Sequence, residues 1–149
     1  KGIAEAAVTG GRLGWPFVGV EAELYYGKTH EVDSSELAFN LAAQKAFRDA
    51  IDGNYKILEP VMKLVVTVPE DYLGDVIGDL NTRRVAIEEL TMAGAIREIR
   101  GRVPIAEMFS YSSTIRGLTQ GRGSFSMEPS GYMEVPAYVQ EKLVKDRTK

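Results

Sequence analysis

The order in which the hydrophobic period changes between Val61 and Glu128 restricts this chain more than any other feature. Val61 to Val68 reads at a period of two, the mark of a strand with one buried face. Pro69-Glu70-Asp71 then opens a helix, because proline suits an early helical position and acids suit the positive end of the helix dipole. Tyr72, Leu73, Val76, Ile77 and Leu80 share one helical face, and Arg83 and Arg84 close the helix where cations are favoured. Val85 to Thr91 reads as a second strand and Ala93-Gly94 as a turn. Ala95 to Val103 is a third strand, with Ile99 and Val103 on one face and Arg100 and Arg102 on the other. Pro104 starts a second helix whose apolar side is Ile105, Met108, Phe109, Ile115 and Leu118. Gly121-Arg122-Gly123 breaks it, and Ser124 to Met127 is a fourth strand. The order β-α-β-β-α-β is the split β-α-β arrangement. The expected fold class is therefore α+β, a ferredoxin-like sandwich of four antiparallel strands with two helices on one face.

The residues before this unit carry a different pattern. Lys1 to Gly11 reads as a helix stopped by glycines, and a chain beginning with lysine inside a helix suggests a piece of a longer protein. Val18 to Leu24 alternates as a half-buried strand. Asp33 with Glu36 three residues later resembles a capping box, opening a long helix from about Ser34 to Ile51. Asn40, Gln44 and Arg48 form one polar stripe on it, and the apolar remainder predicts a largely buried helix. Leu58-Glu59-Pro60 marks a junction. After the second unit, Pro136 opens a short helix carrying Val139 and Leu143, and the basic tail from Lys142 to Lys149 is expected to fray.

Composition narrows the chemistry. The 149 residues allow one ordinary domain or two small ones, and 44% hydrophobic with 26% charged residues is globular. With no cysteine there is no disulfide, thiolate zinc site or thiol nucleophile, and with His30 alone there is no two-histidine metal or acid/base pair. A net charge of −3 argues against binding nucleic acid through bulk charge, although a local basic patch is compatible with it. No apolar run is long enough to span a membrane, and a cytoplasmic location is expected.

Individual motifs say little alone. Gly27-Lys28-Thr29 has the ending of a phosphate-binding loop, but Ala22 stands where that loop needs its first glycine, and Glu23-Leu24-Tyr25-Tyr26 cannot form an anion cradle. Gly121-Arg122-Gly123 fits either a tight turn or an approach to phosphate. Asp71, Asp75 and Asp79 read as a solvated acidic face. His30, in a loop beside Glu31 and Asp33, is by local reading a solvated histidine. Arg97, Arg100, Arg102, Arg116 and Arg122 are either dispersed charge or a basic patch. No nucleophile–base constellation is present, so no catalytic, cofactor-binding or metal-binding residue is assigned.

Several runs taken together are specific. His30-Glu31-Val32-Asp33-Ser34-Ser35-Glu36-Leu37-Ala38-Phe39, Ile57-Leu58-Glu59-Pro60-Val61-Met62, Gly74-Asp75-Val76-Ile77-Gly78-Asp79-Leu80-Asn81, Val103-Pro104-Ile105-Ala106-Glu107-Met108-Phe109 and Thr119-Gln120-Gly121-Arg122-Gly123-Ser124-Phe125 closely resemble the C-terminal end of bacterial translation elongation factor G, in the family's order and across the whole chain. The resemblance implies that residues 1–58 are the second half of domain IV, a partial α/β ribosomal-protein-like domain onto which a helix over 136–146 packs back, and that residues 59–133 are domain V. It implies a ribosome-contacting piece of a GTP-driven factor that moves tRNA and mRNA. This chain would hold no cofactor and hydrolyse no GTP, while GTP or GDP and magnesium would belong to the parent protein. The implied partners are ribosomal RNA, the tRNA–mRNA at the decoding site and the rest of elongation factor G, with no membrane.

The family places Lys28, Thr29, His30 and Glu31 at the domain IV tip, where an imidazole can donate to phosphate or ribose and stack on a base. In domain V it places Arg116, Gly117, Gln120 and Arg122 toward the sarcin–ricin loop, where arginine can fork onto phosphate and small residues permit close approach. The sequence departs from many relatives at Ser110, Ser112, Ser113 and Gly117. A ribosome-protection or back-translocation factor is a related reading, and a free-standing ferredoxin-like ligand-binding or partner-binding module is an unrelated one. Without partner strands, the segment around Val18 to Leu24 is expected to leave an exposed sheet edge or apolar patch, open to self-pairing.

Overall fold

The computed structural model describes residues 1–148. It divides into two units, one formed by Lys1–Ile57 with the chain from Pro136, the other by Leu58–Val135.

In the second unit, β1 (Leu58–Pro69), β2 (Ala86–Ala93), β3 (Ile96–Pro104) and β4 (Ser124–Glu134) form one antiparallel sheet in the order β2-β3-β1-β4. The helices α3 (Leu73–Thr82) and α4 (Tyr111–Leu118) complete the β-α-β-β-α-β order. Alternation decides which face is covered: Leu64, Val66 and Val68 of β1 and Ile99 and Val103 of β3 join Val76 and Leu80 of α3 and Tyr111 and Ile115 of α4 in one core. The opposite face presents Lys63, Arg100 and Arg102, with Lys63 opposite Arg102 on β3 and Glu128 on β4.

Two elements differ from the sequence reading. The fourth strand continues to Glu134, because β1 begins at Leu58 and pairs its first residues with Tyr132–Glu134 beyond a bulge. The second helix is broken in two. A short 3₁₀ turn covers Ile105–Met108, and Ser110 takes a left-handed conformation (φ 59°) before α4 begins. Phe109 is turned out of the core by this break and is 76% exposed.

The first unit contains α1 (Gly2–Thr9), α2 (Glu36–Ile51) and α5 (Ala137–Arg147), and no strand among the described residues. The strand expected over Val18 to Leu24 is thus corrected. Alternation is a necessary signal, but a ladder also needs a hydrogen-bonding neighbour, and no described residue supplies one. The apolar side chains of this segment lie in the open, with Val18 at 72% and Leu24 at 88% exposure.

The long helix starts at Glu36, capped by Ser35 rather than Asp33; the Ser35 hydroxyl accepts the Ala38 N–H at 3.0 Å. Replacing Ser35 with alanine is expected to cost about 1 kcal/mol, read as a lower midpoint in thermal unfolding followed by helical circular dichroism; an unchanged midpoint would remove the cap's role. The helix's burial is also opposite to expectation. Asn40 and Gln44 face α1, where both amides donate to Glu5 at 3.0 and 3.3 Å, while Leu37 and Leu41 are exposed. What faces the partner is set by the partner: α1 offers Gly2, buried Ala6 and a carboxylate, which fit small and amide residues.

The helix α5 continues to Arg147, through most of the stretch expected to fray. The Arg147 guanidinium lies 4.7 Å from the Trp15 ring centroid and donates to the Leu13 carbonyl at 3.2 Å. The Gln140 side-chain oxygen accepts the Ile57 N–H at 3.0 Å. The remaining expected frayed residue, Lys149, lies outside the described residues.

Candidate RNA-contacting turns

In the second unit, the turn between α4 and β4 is built on Thr119, which is fully buried. Its hydroxyl donates to the Ile115 carbonyl at 2.6 Å and accepts the Gly123 N–H at 2.7 Å. Gln120 then takes a left-handed conformation (φ 52°) and Gly121 follows at φ 78°. The Gly121 N–H reaches back to the Arg116 carbonyl at 2.8 Å, the long bond of a Schellman helix end. A side chain longer than glycine's at 123 has no room, since a Cβ there would lie 2.8 Å from both Thr119 side-chain tips.

This frame holds Arg116, Gly117, Gln120 and Arg122 on the surface, all four exposed. A Cβ at Gly117 would meet nothing within 4 Å, so the fold itself does not call for glycine there. The five-arginine patch weighed from sequence comes apart. Arg97 pairs with Glu70 at 2.7 Å, Arg100 with Glu98 at 2.7 Å and Arg102 with Glu88 at 2.5 Å. Arg83 is taken by Asp79 and the Glu107 carbonyl, and Arg84 by Glu59 and Glu107, whose carboxylates raise its already high pKa. Among the described residues of this unit, Arg116 and Arg122 are the arginines with no ion pair.

In the first unit, Lys28, Thr29, His30 and Glu31 lie in an exposed irregular loop. The His30 backbone N–H donates to the Ser34 hydroxyl at 2.7 Å, closing the loop directly before Ser35 caps α2. The four side chains make no hydrogen bond or ion pair among the described residues, so their donors and acceptors are available to another molecule. Asp71, Asp75 and Asp79 share a helix, but Asp79 is committed to Arg83 at 2.7 Å, and no cluster of acids or histidine suited to a metal ion occurs among the described residues. Among the described residues no helix is long and apolar enough to cross a membrane.

Sequence reasoning missed Thr119. Its one visible signal is the spacing Thr119-x-x-x-Gly123 at the end of a helix, a hydroxyl placed to meet a glycine amide.

Comparison with known proteins bears on the family. Residues 1–53 match the family model of elongation factor G, domain IV, and residues 56–143 match that of the elongation factor G C-terminus. Elongation factor G of Fervidobacterium nodosum is 49% identical over 146 residues, covering 97% of this chain and 21% of that protein. The Aquifex pyrophilus factor is 48% identical over 148 residues, covering 99% and 21%. A crystal structure from Thermus thermophilus superposes with a TM-score of 0.79 at 40% identity over 98% of this chain and 22% of that one. The chain thus spans about a fifth of the length of these relatives. With the C-terminal model covering more than half of its residues and the domain IV model most of the remainder, the chain belongs to the elongation factor G family of translation factors.

Proposed function

We propose that this chain is a ribosome-contacting part of a cytoplasmic GTP-dependent translocation factor, and that it contacts RNA through two separate turns. Lys28, Thr29, His30 and Glu31 meet the tRNA–mRNA at the decoding site. Arg116, Gly117, Gln120 and Arg122 meet the sarcin–ricin loop of the large subunit. GTP and magnesium belong to parts of the factor outside this chain, which binds RNA and hydrolyses nothing.

The observation that carries this reading is the pairing of the arginines. In an acidic chain, whose arginines in this unit otherwise sit against acids or carbonyls, the two left free flank one turn. Two features add to it. Gln120 is held left-handed, a conformation that costs a non-glycine residue about 1 kcal/mol and clusters at functional turns. Gly117 leaves the adjoining helix surface bare, so a phosphate backbone can come close.

The test is co-sedimentation of the chain with ribosomes across a salt series. The parent chain is expected to bind in a salt-sensitive manner. Arg116→Ala with Arg122→Ala should weaken binding roughly ten- to a hundredfold and reduce the salt slope by about two. Purified chain should show no GTP turnover. Salt-insensitive binding, unchanged binding by the double variant, or GTP hydrolysis by the pure chain would each overturn the reading.

A further inference from the structure

We infer that Thr119 is a positioning residue for RNA contact: its buried hydroxyl is the latch that fixes where Arg122 stands relative to Arg116. The inference rests on the reading of this turn as an RNA contact.

The geometry is specific to a hydroxyl. Thr119 is at the helix end, has no exposed surface, and makes two hydrogen bonds of opposite sense. Donation to Ile115 at 2.6 Å uses the hydroxyl proton, which leaves the oxygen lone pairs to accept from Gly123 at 2.7 Å. The side chain therefore bridges the last turn of α4, which carries Arg116, and the residue directly after Arg122. The remaining bonds of the turn come from the backbone: Gly121 to Arg116 at 2.8 Å and Arg122 to Thr119 at 3.0 Å. These stop at Arg122. The Gly123 amide, on which the chain enters β4, is held by the threonine hydroxyl.

Two further observations point the same way. The absence of a Cβ at Gly123 is what lets its amide approach, since a Cβ would lie 2.8 Å from Thr119 Oγ1 and Cγ2 and 3.1 Å from Ile115 Cγ1. The χ1 stiffness of a β-branched residue also holds the hydroxyl in one place once its methyl is packed. Neither side chain of the arginine pair is held by an acid among the described residues, so what the turn fixes is the pair of backbone points from which the two guanidinium groups reach. Loss of the latch frees the backbone at Arg122, so the two arginines engage neighbouring phosphates together at a greater ordering cost.

The consequence is that loss of the hydroxyl should act on binding more than on folding of the sheet. The experiment uses the full chain and an RNA hairpin carrying the sarcin–ricin loop, with binding measured across a salt series beside thermal unfolding. Thr119→Val is expected to weaken binding about fivefold or more and to lower the salt slope by about one, because Arg122 no longer reaches its phosphate together with Arg116. Thr119→Ser, which keeps the hydroxyl, should bind within about twofold of the parent chain. If Arg116→Ala weakens binding while a folded Thr119→Val binds as the parent does, the latch is refuted and the RNA reading stands. If neither weakens binding, the RNA reading itself fails. A second measurement on the unaltered chain covers the case in which the valine variant does not fold. With the latch required for binding, saturating hairpin should slow exchange of the Gly123 amide proton in proportion to occupancy, by linkage. A Gly123 amide that exchanges at the same rate with and without RNA overturns the inference.

Discussion

Gly10→Ala is expected to destabilise the first unit by about 3 kcal/mol or more, the largest single-site effect in that half of the chain. Gly10 ends α1 with φ 76° and ψ 167°, a region of backbone space open essentially to glycine alone. It is also a close approach: a Cβ would be driven against the Trp15 carbonyl oxygen and would lie 2.7 Å from the Trp15 nitrogen and 2.8 Å from its carbonyl carbon. These are backbone atoms in a loop that is tied down on both sides, by the Phe17 N–H to the Ala7 carbonyl at 2.8 Å and by Arg147 on the Trp15 ring. They cannot move aside as a flexible side chain would. Trp15 is the chain's single tryptophan, so its emission reports on this unit. The variant should lower the thermal midpoint seen by that emission by roughly 10 °C or more and shift the native emission maximum, while the sheet of the second unit unfolds as before. A midpoint within about 2 °C of the parent would show that the loop adapts and that the close approach carries no weight.

The same glycine shows what could be read from the sequence. That a helix stops at Gly10-Gly11 is a local property, visible in the residues. That only glycine fits depends on where Trp15 returns, which is tertiary. The second unit was legible for the local reason, apart from the break at Ser110 and the far end of β4, which long-range pairing with β1 sets. Its strands alternate and its helices carry clean stripes, so Leu64, Ile99, Val76 and Ile115 reached one core without any knowledge of long-range contacts. The first unit was not. Val18 to Leu24 has strand alternation but no neighbour, and α2 turns Asn40 and Gln44 toward α1 because α1 carries Glu5 and Gly2, which no periodicity within α2 encodes. The candidate site divides in the same way. Lys28, Thr29, His30 and Glu31, and Arg116, Gly117, Gln120 and Arg122, were proposed through ordered motifs shared with a family. That Arg97, Arg100 and Arg102 are neutralised while Arg116 and Arg122 are free is a matter of cross-strand and loop geometry, and so is the Thr119 latch that sequence reading passed over.

A second large effect is expected at alkaline pH, and it has one residue at its origin. Tyr111 is fully buried at the start of α4, edge-on to Phe125 at 4.9 Å and beneath the Arg83 guanidinium at 5.0 Å. Its hydroxyl has no hydrogen-bond partner among the described residues. Burial pushes its pKa up to about 12, the nearby Asp79 charge adds to the rise, and Arg83 opposes it. Below about pH 10 the phenol is neutral in both folded and unfolded chains, and its contribution to stability is complete. Between about pH 10 and pH 12 the unfolded chain ionises while the folded one resists, so the unfolded state gains and stability falls, by roughly 2–3 kcal/mol at the upper end. Tyr111→Phe removes the titrating group and keeps the ring contacts. At neutral pH it should be close to neutral or slightly stabilising, because a buried hydroxyl with no partner is lost. Above pH 10 it should be clearly the more stable chain. The measurement is chemical denaturation of both chains at pH 8, 10 and 11.5, followed by circular dichroism, and the difference between them isolates Tyr111 from the other tyrosines. A phenylalanine variant that loses stability with the same pH slope as the parent would place the alkaline sensitivity elsewhere. One that is several kcal/mol weaker at pH 8 would mean the hydroxyl is bonded, and the packing of α4 against β4 would have to be redrawn around that bond.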